Sequence, residues 1–498
     1  MYHISDIKKF ERCEKYFWLY THQPVKYSPF VYHNESMTEL CKKLLSINEP
    51  YFEGQANDEG EKALQAISEY SCLVNARFVY QDLRIKIPFL IKQDDHSFDV
   101  YFTYTSCYPK EGEAQSIADH MYVLKQLQIP VHHIYAIHLN AQYVRQGDLD
   151  VHELLIIDTY LFNHKNKAHQ KIEESVDTCS RNLDEVLVRM REVQQVEHVE
   201  SKRTTMCTRG LKCPYFEKCF ETPSPTSVLN LVQSAGKLEM QEAGIQDMRD
   251  VDLAKLEGTR HQYAQIMAAK CFDGIYFDTF AMYSWVHDNI QYPISYLDFE
   301  WETYVYPPYD GMKPYDVLTF QYSLHIEKEH GAELEHKQFL GKQDCREAFI
   351  QHLLANIPET GTIMVFNMEG AEKLRLMQLS EQFPQYREQL VAVCDRMIDL
   401  SLPFSTGNVY LKEMAGMYSL KKLVTIFSDY RYSDLDISYG MDAVKNWRML
   451  AHSDDEQSKE IEQHLFEYCA MDTYAMVLVY HGILDLLNEK SKNLYSSS

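Results

Sequence analysis

The sequence predicts an α/β protein built from two globular domains and a helical connector. A chain of 498 residues exceeds the roughly 100 to 200 residues that usually surround one core. Hydrophobic residues make up 45% and charged residues 24%, enough apolar surface for complete cores. A proline-containing stretch at residues 221–226 follows a group of cysteines and precedes a new apolar periodicity. We therefore place a first domain at 1–222, a connector at 223–288 and a second domain at 289–490.

The charge and the apolar pattern exclude some classes of protein. A net charge of −24 repels a polyanion at long range, which argues against a protein that coats nucleic acid. No apolar run approaches the roughly 20 residues that span a bilayer, and the first residues lack the apolar core of a signal peptide. We expect a cytoplasmic protein without membrane association. Its 12 cysteines should then be reduced, so clustered cysteines are better metal ligands than disulfide partners.

In the first domain, an amphipathic helix over residues 4–19 contains a cysteine. A β-hairpin is predicted from residues 78–92 and 98–108, and a helix follows at 115–127. The connector should contain short helices between residues 228 and 267, since its apolar positions recur at intervals of three and four.

The second domain alternates strands and helices in a characteristic order. Aromatic and β-branched runs predict three successive strands, followed by a helix, a buried strand, another helix and, much later, a long helix. These elements fall at residues 294–301, 317–325, 333–340, 347–356, 362–366, 370–383 and 461–487. Three strands, helix, strand and helix is the order of a ribonuclease H-like fold.

Four polar residues of this domain form a candidate metal site. Asp298 and Glu300 are separated by one residue on a predicted strand, so both emerge on one face, about 7 Å apart. Two such carboxylates repel each other and are costly to bury unless a cation lies between them. Tyr468 and Asp472 are four residues apart and share a face of the long helix. Each pattern alone is common by chance, but their order and their positions on these elements favour a metal site.

Residues 290–485 resemble the DEDD superfamily of exonucleases, in the branch whose last motif is Y-x-x-x-D. The resemblance implies that Asp298 bridges two Mg²⁺ or Mn²⁺ ions and that Glu300 and Asp472 are further ligands. It also implies that Tyr468 orients the attacking water. Two such ions stabilise the entering and leaving oxygens of a phosphodiester. The expected reaction is 3′–5′ exonucleolytic hydrolysis of DNA or RNA, with a single strand as the preferred partner.

The second motif departs from the pattern of that superfamily. The superfamily has an Asp four residues after an Asn, and the position four residues after Asn367 is Ala371. Glu372 is the nearest acid and the metal ligand we expect, with Glu369 as the second candidate. Asp399 could support the site or cap a helix.

The sequence of the second domain is also similar to a bacterial family of unassigned function, which joins such a domain to a RecB-like one. The similar stretches are residues 297–300, 320–325, 418–421 and 468–477.

Four cysteines form a second candidate site. Cys207, Cys213 and Cys219 lie close together before the proline-containing stretch, and Cys13 is the obvious fourth ligand. The arrangement resembles the iron-staple nucleases, RecB-type PD-(D/E)xK proteins in which one early and three late cysteines hold a [4Fe-4S] cluster. Their late cysteines are often more closely spaced, so Zn²⁺ stays open as the alternative.

The nuclease centre of a RecB-type domain is expected to be absent. The pattern requires an Asp on one strand and E-x-K on the next, and this chain has Pro88, Phe102 and Tyr104 there. The helical Gln of the pattern is replaced by His120. We expect an inactive, restriction-endonuclease-like scaffold. Because the second-motif acid is also displaced, the alternative function is a non-catalytic nucleic-acid- or protein-binding factor of a repair or defence assembly.

Overall fold

The structure is a computed structural model that describes residues 1–25, 31–256, 258–432, 437 and 439–496. The side chains of residues 255 and 493–496 lie outside this description. The chain forms two compact units. Unit 1 comprises Met1–Glu221 and Tyr304–Asp316, and unit 2 comprises Thr222–Thr303 and Val317–Ser498. Both units combine helices with sheets, so the predicted α/β class is confirmed.

Unit 1 contains a main mixed sheet, a small two-stranded sheet and surrounding helices. Its strands are β1 (Tyr2–His3), β2 (Phe52–Glu53), β3 (Cys72–Tyr80), β4 (Leu83–Lys92), β5 (Phe98–Thr103), β6 (Val131–Leu139), β7 (Leu155–Asp158), β8 (Tyr160–Phe162) and β9 (Ala168–Lys171). Its helices are α1 (Ile4–Arg12), α2 (Glu14–His22), α3 (Met37–Leu44), α4 (Gly60–Glu69), α5 (Ala114–Gln126), α6 (Val151–Leu154), α7 (Ile172–Cys179), α8 (Asp184–Gln195) and α9 (Phe216–Cys219).

The main sheet of unit 1 has the order β2-β3-β4-β5-β6-β7, and β1 also pairs with β4. Strands β3, β4 and β5 are antiparallel, whereas β5 and β6 are parallel and are joined through α5. The expected strand at 78–92 is wrong, because it spans the end of β3, a turn and β4. Gln81 adopts a left-handed conformation with φ 51° in that turn, and the side-chain pattern alone does not reveal it.

The segment Tyr304–Asp316 belongs to unit 1, which corrects its assignment to the second domain. Val305 and Tyr306 are fully buried in a hydrophobic cluster with Leu40 and Phe89. The guanidinium of Arg145 donates hydrogen bonds to the carbonyl oxygens of Pro307 and Pro308 at 3.0 and 2.9 Å. These contacts explain why the chain leaves unit 2 between two paired strands and returns to it.

Unit 2 has a five-stranded sheet and a two-stranded one. Its strands are β10 (Ile275–Phe277), β11 (Ile294–Thr303), β12 (Val317–Glu327), β13 (Glu335–Leu340), β14 (Ile363–Val365), β15 (Met397–Asp399) and β16 (Val409–Leu411). Its helices are α10 (Lys237–Glu242), α11 (Arg260–Lys270), α12 (Thr279–Asn289), α13 (Arg346–Asn356), α14 (Glu372–Gln382), α15 (Arg387–Asp395), α16 (Leu402–Ser405), α17 (Leu420–Phe427), α18 (Gly440–Leu450) and α19 (Asp455–Ser496).

The five-stranded sheet has the order β13-β12-β11-β14-β15. Strands β11, β12 and β13 are antiparallel, and β14 and β15 continue the sheet parallel to β11. The predicted succession of three strands, a helix, a strand and a helix is therefore observed. One face of the sheet packs against α13, α14 and α15, and α19 packs along β11 and β12.

The expected connector is not a separate element between two domains, because its residues group with unit 2. Strand β10 pairs antiparallel with β16, which lies far downstream in the chain. Val228, Met248 and Ile266 are buried in a shared hydrophobic cluster. The predicted helices of this region are present but short, and several are single 3₁₀ turns.

Helix α19 is long and apolar enough to span a membrane by length and composition, which the sequence pattern did not lead us to expect. Half of its most apolar window is buried within the protein. Buried residues of this helix, Leu465, Met476 and Ile483 among them, fit a helix that packs in a protein core.

Candidate metal sites

The first carboxylates of the site lie on the middle strand of the five-stranded sheet. Asp298 and Glu300 alternate with Phe299, whose ring packs on Phe349 with centroids 5.1 Å apart in the core beneath α13. The alternation of a strand then directs both carboxylates to the opposite face, where α19 lies. Asp298 is paired in register with Ser323 of β12. The prediction that the two acids share one face is consistent with this arrangement.

Helix α19 supplies the third carboxylate. One oxygen of Asp472 and one of each strand carboxylate all lie within 4.8 Å of one another. Asp472 and Tyr468 are buried at 7% and 3% exposure, one turn apart. Between them, Cys469 is buried with its Sγ 3.8 Å from Oδ2 of Asp298. A helix and a strand that are far apart in sequence thus meet at one acidic group.

Glu372 completes the acidic group at the start of α14. Its side chain is only 2% exposed, and its Oε2 has no hydrogen-bond partner among the described atoms. Burial raises the pKa of Glu372 to about 8, with the charge of Asp399 adding to the effect. Glu369 is instead exposed and pairs with Lys373 at 2.7 Å. Of the two candidates for the displaced second-motif acid, the structure brings Glu372 to the site.

Asp399 shapes the turn that leads to Glu372. Its carboxylate accepts the backbone N–H groups of Asn367 and Met368, each at 3.0 Å, and that of Ser401 at 2.8 Å. Asn367 occupies a left-handed conformation with φ 66° at this point. Asp399 therefore caps the turn that positions Glu372.

The electrostatics of the site favour a bound cation. Burial, followed by the charge of Asp472, raises the pKa of both Asp298 and Glu300 well above its usual range. Burial also raises the pKa of Asp472, to about 6, although hydrogen bonds from Tyr432 and Tyr468 and the charge of Lys421 oppose the shift. Four carboxyl groups cannot all ionise here without compensation. Oxygen ligands of this kind suit Mg²⁺ or Mn²⁺.

Lys421, at the second position of α17, is a site residue that sequence reasoning did not assign a role. Its Nζ donates a hydrogen bond to Oη of Tyr468 at 3.1 Å. The same Nζ lies 4.8, 4.9 and 5.0 Å from the ring centroids of Tyr432, Tyr439 and Tyr468. Burial lowers the pKa of Lys421, and the charges of Asp472 and Glu300 oppose that shift. The only sequence signal was its place in the stretch 418–421.

A tyrosine hydroxyl also holds the carboxylate of Asp472 in place. The hydroxyl of Tyr432 donates a hydrogen bond to its Oδ1 at 2.5 Å. Tyr432 is buried, and its ring lies 6.3 Å from that of Tyr468. No sequence pattern indicated Tyr432, because it precedes α18 in a segment without periodicity.

The four predicted cysteines of unit 1 line a single cavity. Cys13 lies between α1 and α2, and the other three follow one another around Tyr215. The backbone N–H of Cys213 donates to the carbonyl of Cys207 at 2.8 Å, which closes the loop between them. Burial raises the pKa of Cys213, and the neighbouring thiols Cys13 and Cys219 act in the same direction.

Basic residues surround this cavity. Arg12 donates from Nε to the carbonyl of Met206 at 3.1 Å and from Nη2 to that of Leu211 at 2.6 Å. Arg12, Lys15 and Lys202 all contribute to the cavity lining. Their charges would balance thiolates that bind a metal. Among the described residues, the four sulfur atoms do not form a group within 4.8 Å of one another, unlike the carboxylates.

The positions at which the RecB-type pattern expects its acids and its Lys carry uncharged side chains. Pro88 lies in β4, and Phe102 in β5 is buried. The ring of Phe102 contacts that of His120 on α5, with centroids 5.2 Å apart. Burial lowers the pKa of His120 to about 4, so its imidazole is neutral at pH 7. This region therefore offers no carboxylate at Phe102 or Tyr104 to hold a divalent ion.

Comparisons with known proteins reach only part of the chain. The profile of a domain of unknown function (DUF2779) matches residues 295–419. The match includes Asp298, Glu300 and Glu372, and it ends before Lys421 and α19. No curated protein matches the chain.

Proposed function

We propose that the protein is a metal-dependent nuclease that hydrolyses phosphodiester bonds of DNA or RNA as a 3′–5′ exonuclease, with a single strand as its substrate. The observation that carries this proposal is the convergence of Asp298, Glu300, Glu372 and Asp472 from one strand and two helices. The strand order of unit 2, with three antiparallel strands followed by two parallel ones, supports a ribonuclease H-like fold.

The four carboxylates would hold two Mg²⁺ or Mn²⁺ ions. When bound, such ions stabilise the entering and leaving oxygens of the phosphodiester. Two observations support this fit: Oε2 of Glu372 has no hydrogen-bond partner among the described atoms, and the carboxyl pKa values are raised. A cation would give that oxygen a partner and would stabilise the ionised carboxylates.

Tyr468 acts on the attacking water in this proposal. Its hydroxyl is held by Lys421 at 3.1 Å and lies against Asp472, so the phenol has a fixed orientation beside the carboxylates. Burial and the charge of Asp472 raise the pKa of Tyr468, so the phenol stays protonated. The hydrogen of this phenol is directed to Asp472 and one lone pair to Lys421, so its second lone pair can accept a hydrogen bond from a water molecule and orient it without removing its proton.

For unit 1 we propose an inactive PD-(D/E)xK scaffold that binds a [4Fe-4S] cluster through Cys13, Cys207, Cys213 and Cys219. A tetrahedral Zn²⁺ with bonds of about 2.3 Å brings its sulfur ligands to about 3.8 Å from one another. Among the described residues, no three of these sulfur atoms lie within 4.8 Å of one another, which leaves room for the larger cluster, and Zn²⁺ is the alternative. The apolar contact of Phe102 with His120, at a position where the nuclease pattern expects an acid, supports a scaffold role. We further propose that the protein acts in the cytoplasm.

The test is degradation of 3′- and 5′-labelled single-stranded DNA and RNA by anaerobically purified protein with Mn²⁺. The wild type should shorten the substrate from its 3′ end, and Asp298→Ala/Asp472→Ala should not. Glu369→Gln is the matched control, since it removes a nearby charge outside the site and should keep full activity. No hydrolysis by the wild type would refute the exonuclease and favour the non-catalytic binding factor. Equal hydrolysis by the double variant would refute the site.

A further inference from the structure

A second group of ligating side chains lies in unit 2, at the far end of β12. One ligand atom each of Glu327, His330 and His481 lies within 4.8 Å of the others. Glu327 ends β12, His330 is in the following turn, and His481 lies on α19 nine residues beyond Asp472. The group contains two imidazoles and one carboxylate, so its chemistry differs from the all-carboxylate site.

Glu327 is the buried member of this group. Its side chain has 0% exposure. Its carboxylate accepts hydrogen bonds from the hydroxyl of Tyr296 at 2.9 Å and from the N–H of Gly331 at 2.7 Å. No Lys or Arg in the described part of the chain forms an ion pair with it, and His481 is a counterion only while it is protonated. A buried carboxylate is costly unless a cation balances it.

The geometry around Glu327 suits a small metal ion. Nε2 of His481 lies 2.9 Å from Oε1 of Glu327, close to the separation of about 3.3 Å between two ligands of one tetrahedral ion. The rings of His330 and His481 meet edge to face with centroids 4.9 Å apart. Gly331 has φ 76°, which folds the turn back and brings His330 toward the helix. His330 is exposed, which leaves a path for an ion to enter.

We propose that Glu327, His330 and His481 bind Zn²⁺. Two imidazoles and a carboxylate form a common zinc ligand set, with a fourth position open to water. Imidazole ligands also favour Zn²⁺ over Mg²⁺ and Mn²⁺. Tyr296 would orient the carboxylate from outside the ligand shell. The ion ties the turn after β12 to α19, so it stabilises the helix that also carries Tyr468. This site does not depend on nuclease activity.

The test measures bound zinc by equilibrium dialysis and metal analysis, with Zn²⁺ as the probe and excess Mg²⁺ to occupy the carboxylate site. The wild type should bind one more equivalent of zinc than His330→Ala/His481→Ala. His330→Ala alone should weaken binding by at least the roughly 10- to 100-fold that the loss of an outer-shell partner costs. His287→Ala is the control, because this exposed histidine lies 3.1 Å from Asp288 without a second imidazole. It should bind as the wild type does.

The cysteine cavity could also take up zinc, and Co²⁺ separates the two sites. Cobalt bound to thiolates gives an intense charge-transfer absorption, and His330→Ala should leave this absorption unchanged. The same variant should lose one equivalent of bound Co²⁺ that absorbs only weakly, because that ion has no thiolate ligand. Because His330 is exposed, its replacement should keep the circular dichroism of the wild type. This single variant therefore tests zinc binding at the site even if the double variant does not fold. Equal zinc binding by the wild type and a folded His330→Ala would overturn the proposal.

Discussion

Replacement of Glu372 by Gln should stabilise the metal-free protein, and the gain should depend on pH. The pKa of Glu372 is raised from 4.5 to about 8, first by burial. A carboxyl group whose pKa is higher in the folded than in the unfolded chain does not lower the free energy of unfolding while the pH stays below its unfolded pKa. As the pH rises from about 4.5 through 8, the free energy of unfolding falls, because the unfolded chain releases the proton more easily. Gln has nearly the same shape and no charge at any pH, so it removes this loss.

The magnitude follows from the two pKa values. At about 1.4 kcal/mol per pH unit, ionisation of Glu372 lowers the free energy of unfolding by about 4 kcal/mol at pH 8 and by about 1 kcal/mol at pH 5. Glu372→Gln should therefore raise the free energy of unfolding by about 3 kcal/mol more at pH 8 than at pH 5.

The assay is urea unfolding in a chelating buffer at both pH values, followed by circular dichroism and tryptophan fluorescence. Addition of Mn²⁺ at pH 8 should stabilise the wild type more than the variant, since the ion neutralises the charge that Gln lacks. Glu369→Gln should show no difference between the two pH values, because Glu369 is exposed. An equal effect of Glu372→Gln at pH 5 and pH 8, or a net loss of stability, would refute the reasoning.

Three further changes test other parts of the structure. Lys421→Met should lower kcat about 100-fold with little change in KM, because it releases the hydroxyl of Tyr468. Steady-state degradation assays measure both constants, and an unchanged kcat would contradict the prediction. Asp399→Asn should lower the free energy of unfolding by about 1 to 3 kcal/mol in urea titrations, since an amide cannot accept all three N–H groups. Cys213→Ser should lower the iron or zinc content and the thermal stability of unit 1, because metal ligation closes a loop of about 200 residues.

The strands and helices of unit 2 were predictable because their local patterns are strong. Alternation along 294–301 and helical spacing around Tyr468 and Asp472 are properties of neighbouring residues, and they locate four site residues directly. The choice between Glu369 and Glu372 was not predictable. It depends on the left-handed Asn367 and on the capping of that turn by Asp399, which is distant in sequence.

Residues that enter the site from separate segments also escaped prediction. Lys421 binds the hydroxyl of Tyr468, and Tyr432 binds Asp472, but neither belongs to a spacing that marks a ligand. The turn at Gln81 was missed for a related reason. Only one polar pair, Gln81 and Asp82, interrupts the apolar pattern there, and the left-handed conformation of Gln81 shows that β3 ends at it.

The path of residues 304–316 affects how the protein can be dissected. Val305 and Tyr306 are fully buried in unit 1, and burial of such side chains contributes about 1.5 to 3 kcal/mol each. A fragment that stops at residue 221 would expose the apolar residues that surround them, including Leu40 and Phe89. Limited proteolysis or gene truncation at the proline-containing stretch should therefore not yield a stable first half. The two units alternate along the chain, so they have to be expressed as one gene product.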